Sequence, residues 1–138
     1  MRILITGSRD WDLYDSIVHR IVEAVQEWIA SHPELQNIPT DWVTIVHGDC
    51  PRGADFLADQ FARKVTGWEV EKYPADWSQL GKSAGYKRNR RMVNTAPDIC
   101  LAFIRNKSKG STSCRDLAKA AGIPTETFLY ENEVEIYA

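Results

Sequence analysis

"DICLAFIRNKSKGSTSCRDLAKAAGIPTETFLY", residues 98–130, decides the fold. Residues 98–104 form an apolar run of strand length, and residues 124–130 are rich in the Thr, Phe and Tyr that suit a strand. Between them Leu117, Ala118 and Ala121 recur at helical spacing and Gly122 ends the helix. Strand, helix and strand in this order make a parallel pair joined by a crossover. Between the first strand and the helix lies a Gly/Ser/Thr turn that reads in two ways. It is a cradle for phosphate, or a corner in which Ser113 and Asp116 form an S-x-x-[DE] capping box.

The same alternation extends towards the N-terminus. "RILIT" (2–6) is a short strand ending at Gly7, and Ile17, Ile21, Val25 and Trp28 mark a helix over about 13–30. The proline-bearing stretch 32–41 is a loop, after which 42–48 reads as a buried strand stopped by Gly48. A helix follows from about Gly53, with Leu57, Phe61, Ala62 and Val65 as its buried stripe. Residues 68–74 alternate as a strand, 75–85 read as an irregular loop, and 86–96 are helical until Pro97 stops them. The expected architecture is an α/β, Rossmann-like three-layer sandwich: a mainly parallel sheet of about five strands with helices on both faces. Residues 1–130 form a single domain and 131–138 a short acidic tail.

Composition bounds the function classes. The chain of 138 residues is 43% hydrophobic and 26% charged, that of an ordinary globular protein. Its formal net charge of −2 argues against bulk attraction to nucleic acid. No segment approaches the about 20 apolar residues of a membrane span, and the N-terminus lacks a signal-peptide core, so the expected setting is cytoplasmic, with no membrane partner. Cys50, Cys100 and Cys114 lack CxxC spacing and are read as reduced thiols, with no metal site and no required cofactor.

In a sheet of this kind ligands sit beyond the carboxyl ends of the strands, where every glycine-bearing turn of this chain falls. "GSRDW" supplies one of the three glycines of a dinucleotide fingerprint, so that motif is absent. Gly7, Ser8 and Arg9 still offer amides, a hydroxyl and a guanidinium to an anion. In "HGDCPRGAD", Gly48 and Gly53 bracket a loop entering a helix at Ala54 and Asp55. His47 reads as a ligand to base or ribose or as a structural residue, and Asp55 as a ligand group or as a complement to the helix dipole. Lys82, Lys87, Arg88, Arg90 and Arg91 form a basic run, and Arg88 shares a helix face with Met92, four residues on.

"ITGSRDW", "HGDCPRGAD", "PADW", "GKSAGYKRNRRM" and "KGSTSCRDLAKAAGIP", in this order over residues 1 to about 129, resemble the YspA/YpsA-related branch of the SLOG superfamily. The resemblance implies a Rossmann-like fold that binds a nucleotide or nucleotide-derived ligand across these turns, and a homo-oligomer. The superfamily includes the "lonely guy" phosphoribohydrolases, DNA-processing proteins and molybdenum-cofactor carriers. Those hydrolases carry an arginine four residues before a methionine, as Arg88 and Met92 do here. Their PGGxGTxxE motif aligns with "KSKGSTSCR", in which Gly110, Ser111 and Thr112 look like the phosphate-holding part and Arg115 stands where the catalytic glutamate would be.

The leading expectation is therefore a sensor or carrier of a phosphorylated nucleoside. Arg9, Arg88 and Gly110–Thr112 take phosphate, and Asp55 and Asn89 meet ribose or base, within a ligand set of Gly7, Ser8, Arg9, His47, Gly48, Gly53, Ala54, Asp55, Arg88, Asn89, Met92, Gly110, Ser111 and Thr112. The alternative is a nucleotide hydrolase acting on an N-glycosidic or phosphate bond, its catalytic residues drawn from Arg88, Asp55 and Asp116. A further alternative is nucleic-acid binding through the basic run, with Trp77 and Tyr86 stacking on bases. Trp28, Trp42 and Trp68 supply apolar bulk either to an oligomer interface or to the core.

Overall fold

Parallel strands buried on both faces read as continuous apolar runs, and β1 (Arg2–Gly7) is one: Ile3, Leu4 and Ile5 are fully buried. The computed structural model describes residues 1–35, 42–106, 108–131 and 134–137. After β1 come α1 (Tyr14–Ser31), β2 (Thr44–His47), α2 (Ala54–Lys64), β3 (Glu69–Lys72), α3 (Trp77–Leu80), α4 (Ala84–Val93), β4 (Ile99–Arg105), α5 (Lys109–Ala120), β5 (Thr125–Glu131) and β6 (Val134–Tyr137). The sheet runs β3-β2-β1-β4-β5-β6. The first five strands are parallel, and β6 pairs antiparallel with β5, Glu131 opposite Val134. The expected α/β sandwich is present.

Strand period divides the core in two. Ile3, Ile5, Ile45, Leu101 and Phe103 join Ile17 and Ile21 of α1 and Ala54, Ala58 and Ala62 of α2 in one cluster. Leu4, Val46 and Cys100, one residue out of step, meet Met92 and Val93 of α4 and Cys114 and Ala118 of α5. These are the two outer layers. Trp42 and Trp68, partly buried, pack against the first cluster, and Trp28 stacks on His32 with ring centroids 4.0 Å apart.

Five local expectations need correcting. The buried stripe of α2 is Ala54, Ala58 and Ala62 with Asp55. Leu57 and Phe61 flank it partly buried, and Val65 is already extended beyond the helix end. Small side chains let α2 lie close on β1. Residues 75–85 are not an irregular loop: they hold α3, a 3-10 turn at Gly81–Ser83 and the start of α4. The Asp76 carboxylate caps α3 by accepting from the Gln79 amide at 3.3 Å and the Ser78 hydroxyl at 2.9 Å. Because α3 buries none of its residues, it shows no apolar period to read.

α5 begins at Lys109 rather than after Thr112, because its buried stripe is Ser111, Cys114 and Ala118. Ala121, assigned to that stripe from the sequence, is exposed. Ser113 therefore lies inside the helix, and the capping box with Asp116 does not form; the N-cap is Ser108. Gly122, at φ +79°, does end the helix as expected, its amide bonding Lys119 O and that of Ile123 bonding Ala118 O. The acidic tail supplies β6. Of the polar loop expected over 32–41, residues 36–41 lie outside the described residues, as do Lys107, 132–133 and 138.

Candidate functional site

In this strand order the connections from β1 and from β4 leave in opposite directions, which opens a crevice beyond their carboxyl ends. A cleft of about 680 Å³ fills that crevice. Its floor is the end of β1. Its sides are the turn after β1, the loop before α2, the inner face of α4 with α3 above it, and the start of α5.

The cleft gathers cations. Arg9, Arg52, Lys82, Arg88, Arg105 and Lys109 line it, against the carboxylates of Asp10 and Asp55. With both acids ionised the excess is four positive charges, in a chain whose formal net charge is −2. Burial pushes the Asp55 carboxyl above its usual range, against the pull of His47, Cys50 and Arg88, which only adds to that excess.

Arg88 is held by two hydrogen bonds within the protein. From α4 its Nη1 donates to the Gly48 carbonyl at 2.6 Å and its Nε to Asn89 Oδ1 at 2.9 Å. Among the described residues two of its five guanidinium N–H groups are thus engaged, which leaves three to face a ligand. Gly48 is required for this contact, since an ideal Cβ there would overlap the Arg88 guanidinium. Asn89, buried, passes the restraint to α5 by donating from Nδ2 to the Gly110 carbonyl at 3.3 Å.

The start of α5 is an open helix N-terminus. Its first internal bond runs from the Thr112 amide to Ser108 O, and the Ser108 side chain makes no cap. The amides of Lys109, Gly110 and Ser111 therefore have no acceptor among the described residues. A Cβ at Gly110 would meet nothing within 4 Å. The Ser108 and Ser111 hydroxyls, 3.2 Å apart, stand beside these amides. Positive dipole, free amides and hydroxyls together make a seat for an anion.

Other residues assigned to the ligand from sequence are consumed by the fold. The Ser8 hydroxyl donates to the Arg105 carbonyl at 3.1 Å and accepts from the Arg105 amide at 2.7 Å, stapling the ends of β1 and β4. Ser8→Ala is expected to lower stability by about 1–2 kcal/mol in urea denaturation, because it strands two backbone groups in a buried position. Gly7 lines the cleft, yet what demands glycine there is Ala54, whose Cβ would overlap any side chain at position 7. Gly53 lies against the Ser8 and Arg9 backbone.

His47, Gly48, Gly53, Ala54 and Thr112 do not line the cleft. The His47 ring accepts at Nδ1 from the Asp49 amide at 3.0 Å, which leaves its proton on Nε2, donated to Asp59 at 2.7 Å. Thr112 donates its hydroxyl back to Ser108 O at 2.8 Å. Gly7, Ser8, Arg9, Asp55, Arg88, Asn89, Met92, Gly110 and Ser111 do line it.

Neither Asp116 nor Arg115 enters the cleft. Both line an adjoining groove of about 800 Å³ along α5, with Leu117 and Leu129, which shares Tyr86, Lys109 and Ser113 with the cleft. The Arg115 Nε donates to Asp116 there at 3.1 Å. Asp55 is in the cleft, but one of its oxygens accepts from the Gly48 amide at 3.1 Å and the Cys50 amide at 3.4 Å, so it shapes the loop before α2. Burial and then Asp55 raise the neighbouring Cys50 thiol, against nucleophilic use. Among the described residues no group of His, Cys, Asp and Glu is placed to hold a metal ion, and no helix is long and apolar enough to cross a membrane.

Sequence reasoning left Arg52, Arg105 and Ser108 out of the site, gave Lys109 no ligand role and named Lys82 only in the basic run of the nucleic-acid alternative. Arg52 had a signal, a cation inside the glycine-bracketed loop. Arg105 had none: it directly follows the strand read over 98–104, and the structure makes it the last residue of β4.

A family model described as the YspA, cpYpsA-related SLOG family matches residues 1–80. The chain is 40% identical, over 131 residues, to the Gene 61 protein of Mycobacterium phage D29, an alignment that covers 92% of this chain and 95% of the relative. No solved structure matches.

Proposed function

The chain belongs to the YspA, cpYpsA-related SLOG family, and on that premise we propose that it binds a nucleotide or nucleotide-derived molecule in the cleft, as a sensor or carrier. The observation that carries the reading is the pairing of a restrained guanidinium with an uncapped helix N-terminus across one crevice. Phosphate oxygens sit against the amides of Lys109, Gly110 and Ser111, with Arg88 opposite as a planar donor. Arg9, Arg52 and Lys109 supply further charge around them. Asn89 links both sides, so a phosphate held by one side orders the other.

Binding is favoured over hydrolysis by the state of the carboxylates. Breaking an N-glycosidic bond develops positive charge on the ribosyl group, which needs an anionic side chain beside it. Asp55 is tied to two amides, and Asp10, at the exposed rim, accepts from Asn106 at 3.1 Å.

Calorimetric titration with a panel of nucleoside mono- and diphosphates tests the proposal, with Gly110→Asp as the informative variant. A carboxylate in the first turn of α5 complements the helix dipole, so the melting temperature holds or rises. The same carboxylate takes the anion seat, so nucleotide affinity falls about tenfold or more. Failure of every nucleotide to bind the wild type, or wild-type affinity in the variant, overturns the reading. Release of free base or inorganic phosphate during the titrations replaces it with the hydrolase.

A further inference from the structure

Four large hydrophobic side chains stand exposed among the described residues, and three of them, Trp77, Leu80 and Tyr86, lie between positions 77 and 86. Trp77 is 52% exposed and Tyr86 49%, and both line the cationic cleft. Solvent-facing aromatics concentrated at the rim of a polar crevice call for a ligand face to cover them. The core does not explain Trp77, because its helix α3 buries no residue. The local structure nevertheless holds it in place: Asp76 caps α3, and the indole edge lies over Gly85, where an ideal Cβ would come within 3.2 Å of it.

Resting on the nucleotide reading above, we propose that Trp77 is the base-stacking wall of the cleft, with Tyr86 beside it. Its ligand is accordingly a base-bearing nucleotide held through the face of its base. Between positions 77 and 86 the cleft wall consists of Trp77, Lys82, Gly85 and Tyr86, and the carboxylates and side-chain amides that line the cleft elsewhere are bonded within the protein: Asp55 to the Gly48 and Cys50 amides, Asn89 to Arg88 and the Gly110 carbonyl, Asn106 to Asp10. Stacking on an indole is open to any base, because every base has a π-face. Lys82 adds charge at the same rim. The cleft thus accepts purine and pyrimidine nucleotides with similar affinity and rejects a sugar phosphate lacking a base.

Three probes test this on the full chain: adenosine 5′-monophosphate, cytidine 5′-monophosphate and ribose 5-phosphate, titrated into wild type, Trp77→Ala and Trp77→Phe. In the wild type the two nucleotides are expected to bind within about tenfold of each other, and each about tenfold or more tighter than ribose 5-phosphate. Trp77→Ala removes that advantage and leaves ribose 5-phosphate affinity unchanged, while Trp77→Phe keeps most of it. The exposure of Trp77 makes a folding defect an unlooked-for complication, and circular dichroism of each variant checks it.

A preference for nucleotide over ribose 5-phosphate that survives Trp77→Ala overturns the stacking role. So does an equal loss for all three probes, which makes Trp77 a structural support, or a large difference between the two nucleotides, which means that base edges are read. If none of the three binds the wild type while a nucleotide of the wider panel does, the stacking role falls alone; if no nucleotide of that panel binds, the nucleotide reading falls with it.

Discussion

Gly53→Ala is expected to cost about 3 kcal/mol of stability and to lower the melting temperature by about 10 °C. Gly53 precedes α2 at φ +81°, ψ −151°, a region that only glycine enters without strain. An ideal Cβ there would also overlap the Ser8 carbonyl oxygen and the Arg9 backbone. Those atoms cannot rotate away, because Ser8 O accepts from the Trp11 and Ala54 amides. Gly122→Ala separates the two causes. Gly122 has a similar φ of +79°, but a Cβ there meets nothing within 4 Å, so only the left-handed penalty of about 1–2 kcal/mol remains. Chemical denaturation of both variants decides the matter: equal losses would mean that the contact between the two loops contributes nothing.

Arg88→Ala has the largest effect expected on binding, a loss of about 10- to 150-fold in nucleotide affinity, with a stability cost of about 1–2 kcal/mol because the Gly48 carbonyl and the Oδ1 of buried Asn89 lose their donor. The charge-assisted bonds to phosphate vanish, whereas the fold gives up one bond to Gly48 O and one to Asn89. Arg88→Lys is expected to recover only part of the affinity, since an ammonium offers no planar pair of donors. Gly48→Ala approaches the same question from the other side. Its methyl group displaces the tip of a flexible side chain rather than backbone, so the protein folds while the guanidinium moves. Titration of all three variants checks this, and unaltered affinity in Arg88→Ala and Gly48→Ala alike removes Arg88 from the site.

The elements legible in the sequence were those that bury a periodic face. β1, β4 and α1 announce themselves through Ile3 to Ile5, Cys100 to Ile104, and Ile17 with Ile21. α3 was missed because it has no buried side to leave a period. The tail was read by its charge, although Val134 and Ile136 alternate as a strand requires. The site was legible as a set of turns, since a doubly wound sheet gathers them at one edge. What escaped was the division of labour among their polar groups. Ser8 sits in an anion-ready turn, but its hydroxyl is spent on Arg105, 97 residues away. His47 is likewise committed to Asp59, across β2 and α2. Side-chain type marks what a residue offers; only the folded chain reveals which offers have been taken.

The charge census of the cleft has a reach beyond contact distance. Setting aside its six cations and two acids, the rest of the chain holds eleven Lys and Arg against seventeen Asp and Glu. One mouth of the molecule is therefore positive while the remaining surface is, on balance, negative. In such a field a small anion is drawn towards the opening and turned away from the remaining surface, and low-dielectric walls concentrate the field lines where Arg88 waits. A long polyanion feels both regions at once and gains far less. Such a field distinguishes a compact anion from an extended one before contact.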